Sequence, residues 1–137
     1  MCDKGCKVLV IDDIPEMGDL IGLFLSHQRN DQVVFARDGY QGLQAARQDP
    51  PQLILLDLMM PGLHGYDVLQ QMRKVPALQG TPVVVFSVLL HSGAYAEAQR
   101  MGAAGYINKP FSLNRLLTAR DAVLRGEAFY PPCVEPE

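Results

Sequence analysis

The chain has 137 residues, of which 48% are hydrophobic and 20% charged, and its formal net charge is −3. That length suits one domain with a real core rather than two. The mild acidity gives no global pull toward nucleic acid or an anionic membrane, and no run of about 18 apolar residues announces a transmembrane helix.

The N-terminus, MCDKGCKVLVIDD, does not read as a signal peptide, because its apolar stretch is short and ends in two acids. Cys2, Cys6 and Cys133 are odd in number and lack framework spacing, so reduced thiols in the cytoplasm are expected. Residues 8–11 (VLVI) form the first apolar, β-branched run. Pro15 suits a first helical turn, and Met17, Leu20, Ile21, Phe24 and Leu25 then recur at helical spacing. Residues 32–36 give a weaker strand. Tyr40, Leu43, Ala46 and Arg47 give a second helix, stopped by Pro50 and Pro51.

Residues 53–56 (LILL) are a second strong strand, and Asp57 closes it. Tyr66, Val68, Leu69 and Met72 mark a third helix, ending before Pro76. Residues 83–86 (VVVF) are the third strong strand, followed by Ser87. Residues 94–101 form a fourth helix with Gly102 as its C-terminal cap. Residues 105–108 are a last, weaker strand, followed by Lys109. Leu113, Leu116, Leu117 and Val123 mark the fifth helix. The apolar runs lack alternation, as in strands covered on both faces. Five β-α units in series predict a parallel sheet with helices on both faces. The division expected is a domain over residues 1–125 and a tail over residues 126–137. The tail, GEAFYPPCVEPE, reads as mobile, with Phe129 and Tyr130 as the residues that would dock back.

The interrupting polar residues share one location. Asp12 and Asp13 follow the first strand, Asp57 ends the third in chain order, Ser87 ends the fourth and Lys109 follows the fifth. Carboxyl ends of parallel strands share one edge, and open α/β sheets bind ligands outside it. Three carboxylates crowded there repel one another unless a cation joins them, and a hard oxygen-ligated ion such as Mg²⁺ suits that donor set. Asp57 is a potential nucleophile, since carboxylates form acyl phosphates, while Ser87 and Lys109 suit an anion's oxygens. Read singly, each residue has a plainer role: helix caps for Asp12 and Asp13, an ion-pair partner for Asp57, a turn residue for Ser87, packing for Tyr106. His64 reads as solvated, and His91 and Tyr95 as ordinary surface residues. The run VLL at 88–90 reads equally as a partner patch or as buried.

Taken together, VLVIDD, LILLDLMMPGLHG, the hydroxyl after VVVF, and GYINKP resemble the receiver domains of two-component response regulators. The separations of 44, 30 and 22 residues from Asp13 to Asp57, to Ser87 and to Lys109 fit that pattern over residues 5–125. The resemblance implies a flavodoxin-like fold with strand order 2-1-3-4-5. It implies Asp57 as phosphoacceptor, with Asp12, Asp13, Asp57 and the backbone carbonyl of Met59 holding Mg²⁺. Lys109 would pair with Asp57 and then with the phosphoryl group. Ser87 would turn inward to that group, with Tyr106 following from an outward to an inward rotamer. Pro110 would follow a cis peptide bond, and Pro61 and Gly65 would shape the loop into the third helix.

The resemblance further implies a sensor histidine kinase or phosphotransfer protein as phosphodonor. It implies a separate downstream protein reading the face of the fourth helix, fifth strand and fifth helix, with a homodimer through that face as a family habit. No nucleic acid or membrane partner is expected of this domain, and no enzyme activity. Two positions depart from the pattern. Val88 stands where Ala or Gly is usual, so slower phosphorylation is expected. Met59 and Leu89 are both apolar, so a long-lived acyl phosphate is expected. The alternative reading is a constitutive interaction module that keeps the fold without being phosphorylated. A haloacid-dehalogenase-type phosphatase fits worse, because Met59 stands where its general acid would be.

Overall fold

The structure, a computed structural model, describes residues 5–60, 64–88 and 92–131. Strands β1 (Lys7–Ile11), β2 (Gln32–Ala36), β3 (Leu53–Asp57), β4 (Val83–Ser87) and β5 (Gly105–Asn108) alternate with helices α1 (Pro15–Arg29), α2 (Gly39–Gln48), α3 (Gly65–Met72), α4 (Ser92–Arg100) and α5 (Leu113–Leu124). The strands make one parallel sheet in the order β2-β1-β3-β4-β5. This is the expected doubly wound α/β fold. Pro76 does more than stop α3, because Pro76–Leu78 form a 3-10 turn.

The central strands are apolar throughout because both faces are covered. In β3, Leu53 and Leu55 join the core under α1 and α5, and Ile54 and Leu56 join the core under α2, α3 and α4. Side chains alternate across a strand, so one apolar run feeds two cores. Helix ends are set locally. Asp38 accepts the Gln41 N–H at 2.8 Å to cap α2, and Ser112 accepts the Arg115 N–H at 3.0 Å to cap α5. Gly102, at φ +95, ends α4 as the sequence leads one to expect.

A buried ion-pair cluster ties α5 to the end of α1 and to the loop that follows it. The Arg120 guanidinium donates to both Asp31 oxygens, at 2.8 and 2.6 Å, and Asp31 Oδ1 also accepts the Cys6 N–H at 2.8 Å. Arg120 also reaches Asp121 at 2.8 Å, and Asp121 is held in turn by Arg29 at 3.1 and 2.7 Å. Cys6 itself is buried. Cys2 and Cys133 lie outside the described residues.

Residues following α5 return to the sheet. Gly126, at φ +87, turns the chain, and Phe129 forms a parallel bridge with Gly105.

Arg120 and Asp31 are 5% and 4% exposed, so removing one partner strands a charge out of water. Arg120→Ala is expected to cost about 3–5 kcal/mol of folding stability, read as a lower urea midpoint.

Candidate functional site

Three carboxylates meet at the C-terminal edge of the sheet. Asp12, just past β1, is fully buried; Asp57, the last residue of β3, is 2% exposed; Asp13 is exposed. One oxygen from each lies within 4.8 Å of the others. Lys109, following β5, places Nζ 3.3 Å from Asp12 Oδ2 and 3.3 Å from Asp57 Oδ2. The ammonium also sits 4.9 Å above the Phe86 ring, a further attraction for a partly buried cation.

Backbone donors fix the acids. Asp57 Oδ1 accepts the Met59 N–H at 3.1 Å, and Asp12 Oδ1 accepts the Ile14 N–H at 2.9 Å. Burial pushes the Asp57 carboxyl above its ordinary value, against the Met59 amide and Lys109, and the Asp13 charge adds to the rise. Burial likewise raises Asp12, with the Ile14 amide opposing and the Asp57 charge adding.

The neighbouring β4 and β5 ends complete the site. Ser87 is buried, and its side chain is hydrogen-bonded to Tyr106. The Lys109 N–H donates to the Ser87 carbonyl at 2.7 Å, and the Lys109–Pro110 peptide is cis. Tyr106 is fully buried. Gly65 has a steric reason to be glycine, since a Cβ there would lie 2.5 Å from Leu58 Cα and 2.7 Å from the Asp57 carbonyl oxygen. Met59 is exposed, and Pro61 lies outside the described residues.

Comparison with known proteins agrees with this arrangement. The response regulator receiver domain model matches residues 8–121. The chain belongs to that family. PilH of Pseudomonas aeruginosa is 33% identical over 88% of this chain and 98% of its own length. The DNA-binding response regulator MtrA of Mycolicibacterium smegmatis is 34% identical over 87% of this chain, which spans only 50% of MtrA. Among solved structures, the chemotaxis protein CheY4 of Vibrio cholerae superimposes with a TM-score of 0.81 at 25% identity, covering 85% of this chain and 97% of CheY4. Receiver domains are signalling switches that typically bind Mg²⁺ at an acidic pocket and interact with histidine kinases or phosphotransfer proteins. Three converging carboxylates, all hard oxygen donors, fit such an ion.

Some of this receiver domain's site was not evident beforehand. Tyr95 is not an ordinary surface residue. Its ring packs edge-on against Tyr106 at 4.8 Å, and its hydroxyl donates to Asn108 Oδ1 at 2.9 Å. Neither contact has a signature at the level of spacing. His64 is half-buried and caps α3, with Nδ1 accepting the Tyr66 N–H at 3.2 Å. Leu89, Leu90 and His91 lie outside the described residues, and Val88 is 59% exposed. Among the described residues, no helix is long and apolar enough to cross a membrane.

The raised Asp57 carboxyl has a thermodynamic signature. A group that binds its proton more tightly when folded contributes stability that is full below the unfolded pKa, about pH 4. That contribution is lost as pH rises through the folded value. In chelator, the urea midpoint of Asp57→Asn is therefore expected to exceed that of the wild type at neutral pH and to converge with it near pH 4. A constant offset across that range would contradict the burial effect.

Proposed function

We propose that this chain is a phosphorylation-controlled switch with Asp57 as the acceptor. The observation that carries the reading is the single ammonium of Lys109 placed equally between Asp12 and Asp57 at an edge where three carboxylates converge. A structural ion pair needs one acid; this site assembles three.

In the proposed reaction a carboxylate oxygen of Asp57 attacks the phosphorus of a phosphohistidine on a donor protein. The P–O bond forms, the P–N bond breaks, and the histidine nitrogen leaves with the electron pair. Asp12, Asp13, Asp57 and the Met59 carbonyl would hold Mg²⁺, which when bound offsets negative charge on the transferring group. The backbone N–H of Met59 orients Asp57, and Lys109 neutralises the carboxylate before transfer and a phosphoryl oxygen after it. Ser87 supplies a hydroxyl to the same group, and Tyr106 is linked to it by the Ser87–Tyr106 hydrogen bond. The phosphoryl group then changes the population of the face formed by α4, β5 and α5, which a downstream protein reads. The chain's own work is signalling by binding in the cytoplasm, not turnover of a substrate.

An apolar groove supports a protein as donor. Ile14, Met17, Leu20, Pro110 and Phe111 line it beside Lys109, and Ile14 and Leu20 are 45% and 48% exposed. Exposed apolar surface next to a reactive edge suits a docking helix more than a small metabolite. Val88 stands exposed directly after Ser87, so any crowding by its methyl groups acts on an approaching donor.

Incubation with acetyl phosphate and Mg²⁺ should add one phosphoryl group by intact mass, and Asp57→Asn should abolish the gain. Mass added to Asp57→Asn would move the acceptor elsewhere. No gain and no Mg²⁺ binding would favour the constitutive interaction module. Val88→Ala should speed phosphorylation, measured as the initial rate of mass gain; an unchanged rate removes Val88 as a brake.

A further inference from the structure

The segment after α5 occupies a surface that the sheet would otherwise leave open. β5 is the last strand in the order, and among the described residues its outer edge has no sixth strand to meet its backbone groups. Residues 127–131 fill that edge. The Tyr106 N–H donates to the Phe129 carbonyl at 2.8 Å, and the Phe129 N–H donates to the Ala104 carbonyl at 3.0 Å.

The two aromatic residues straddle the edge, as consecutive side chains of an extended segment must. Phe129 packs against the core under α1 and α5, with the Arg115 guanidinium 5.3 Å from its ring centroid. Tyr130 packs against the opposite core, and its hydroxyl donates to the Ala103 carbonyl at 2.6 Å. Burial pushes the Tyr130 phenol up to about 12, consistent with a seated ring. Gly105 lets the segment approach, because a Cβ there would lie 2.8 Å from the Phe129 carbonyl oxygen.

We propose that residues 127–131 are a built-in cap that blocks self-pairing of this chain through the free edge of β5. A second copy is the occupant that fits best. The cap satisfies β5 by main-chain hydrogen bonds, which any extended strand can replace. An identical β5 edge on a second copy, related by a two-fold axis, offers matching groups and closes the interface. Release of the cap would also bare the seats of Phe129 and Tyr130, apolar surface continuous with the edge. Tyr106 belongs to both the capped edge and the Ser87 contact, so capping acts at the residue nearest the proposed switch. The cap's effect on self-association does not depend on phosphorylation of Asp57.

Two variants of the full chain test it: Gly105→Ala, which pushes the segment off the edge, and Phe129→Gly with Tyr130→Gly, which removes both anchors. Sedimentation velocity over a concentration series reads the oligomer, and cooperative urea unfolding confirms the fold. Hydrogen exchange at the Tyr106 amide, in dilute solution, reads the cap. The wild type is expected to be monomeric with a protected Tyr106 amide. At least one variant should shift to a dimer at higher concentration, with faster Tyr106 exchange when dilute. Dimerisation of the wild type with that amide protected, or two variants that both stay monomeric, would overturn the proposal.

Discussion

Lys109 holds its ammonium 3.3 Å from two carboxylates that are almost wholly removed from water, Asp12 and Asp57. Charges at the mouth of a sheet are tolerable only when opposite charge or a hydrogen-bond donor stands beside them. Among the described residues one ammonium faces three acids, an imbalance that a bound cation would offset. The surrounding features serve that arrangement. β1, β3 and β5 end at one edge, the Met59 and Ile14 amides orient the acids, and Gly65 lets α3 begin against the end of β3.

The sheet brings together residues that are far apart in sequence, and this is why much of the site was legible beforehand. A carboxylate closing an apolar strand is a local conflict, and Asp57 announced itself that way. The residues after the other strands then fell on the same edge by topology alone. The strands were legible where both faces are buried, as in VVVF, and weaker in β2, whose middle residues are only half-covered.

Other features were illegible for equally physical reasons. Arg120 and Asp31 lie 89 residues apart, and nothing in either neighbourhood marks the other. Tyr95 looked like a solvated helix residue because its partners, Tyr106 and Asn108, come from a strand that only the fold brings near. The docking of Phe129 and Tyr130 was suggested by two aromatics in a tail, but their division between opposite faces of the sheet required the backbone path.

The buried cluster around Arg120 has a mechanical consequence. It clamps α5 to the start of β1 through Asp31 and Cys6, and to the end of α1 through Asp121 and Arg29. Among the described residues, the ion pair on α4 joins Glu97 only to its own helix neighbour Arg100. Within the face that the two helices frame, α5 is thus anchored by buried charge, and α4 by neutral contacts, through Tyr95 to Tyr106 and Asn108 and through the Tyr66 hydroxyl to the Ala94 carbonyl. Charge neutralisation on one side and ring packing on the other therefore hold the two flanks of β5 by different forces, the first sensitive to pH and salt and the second not.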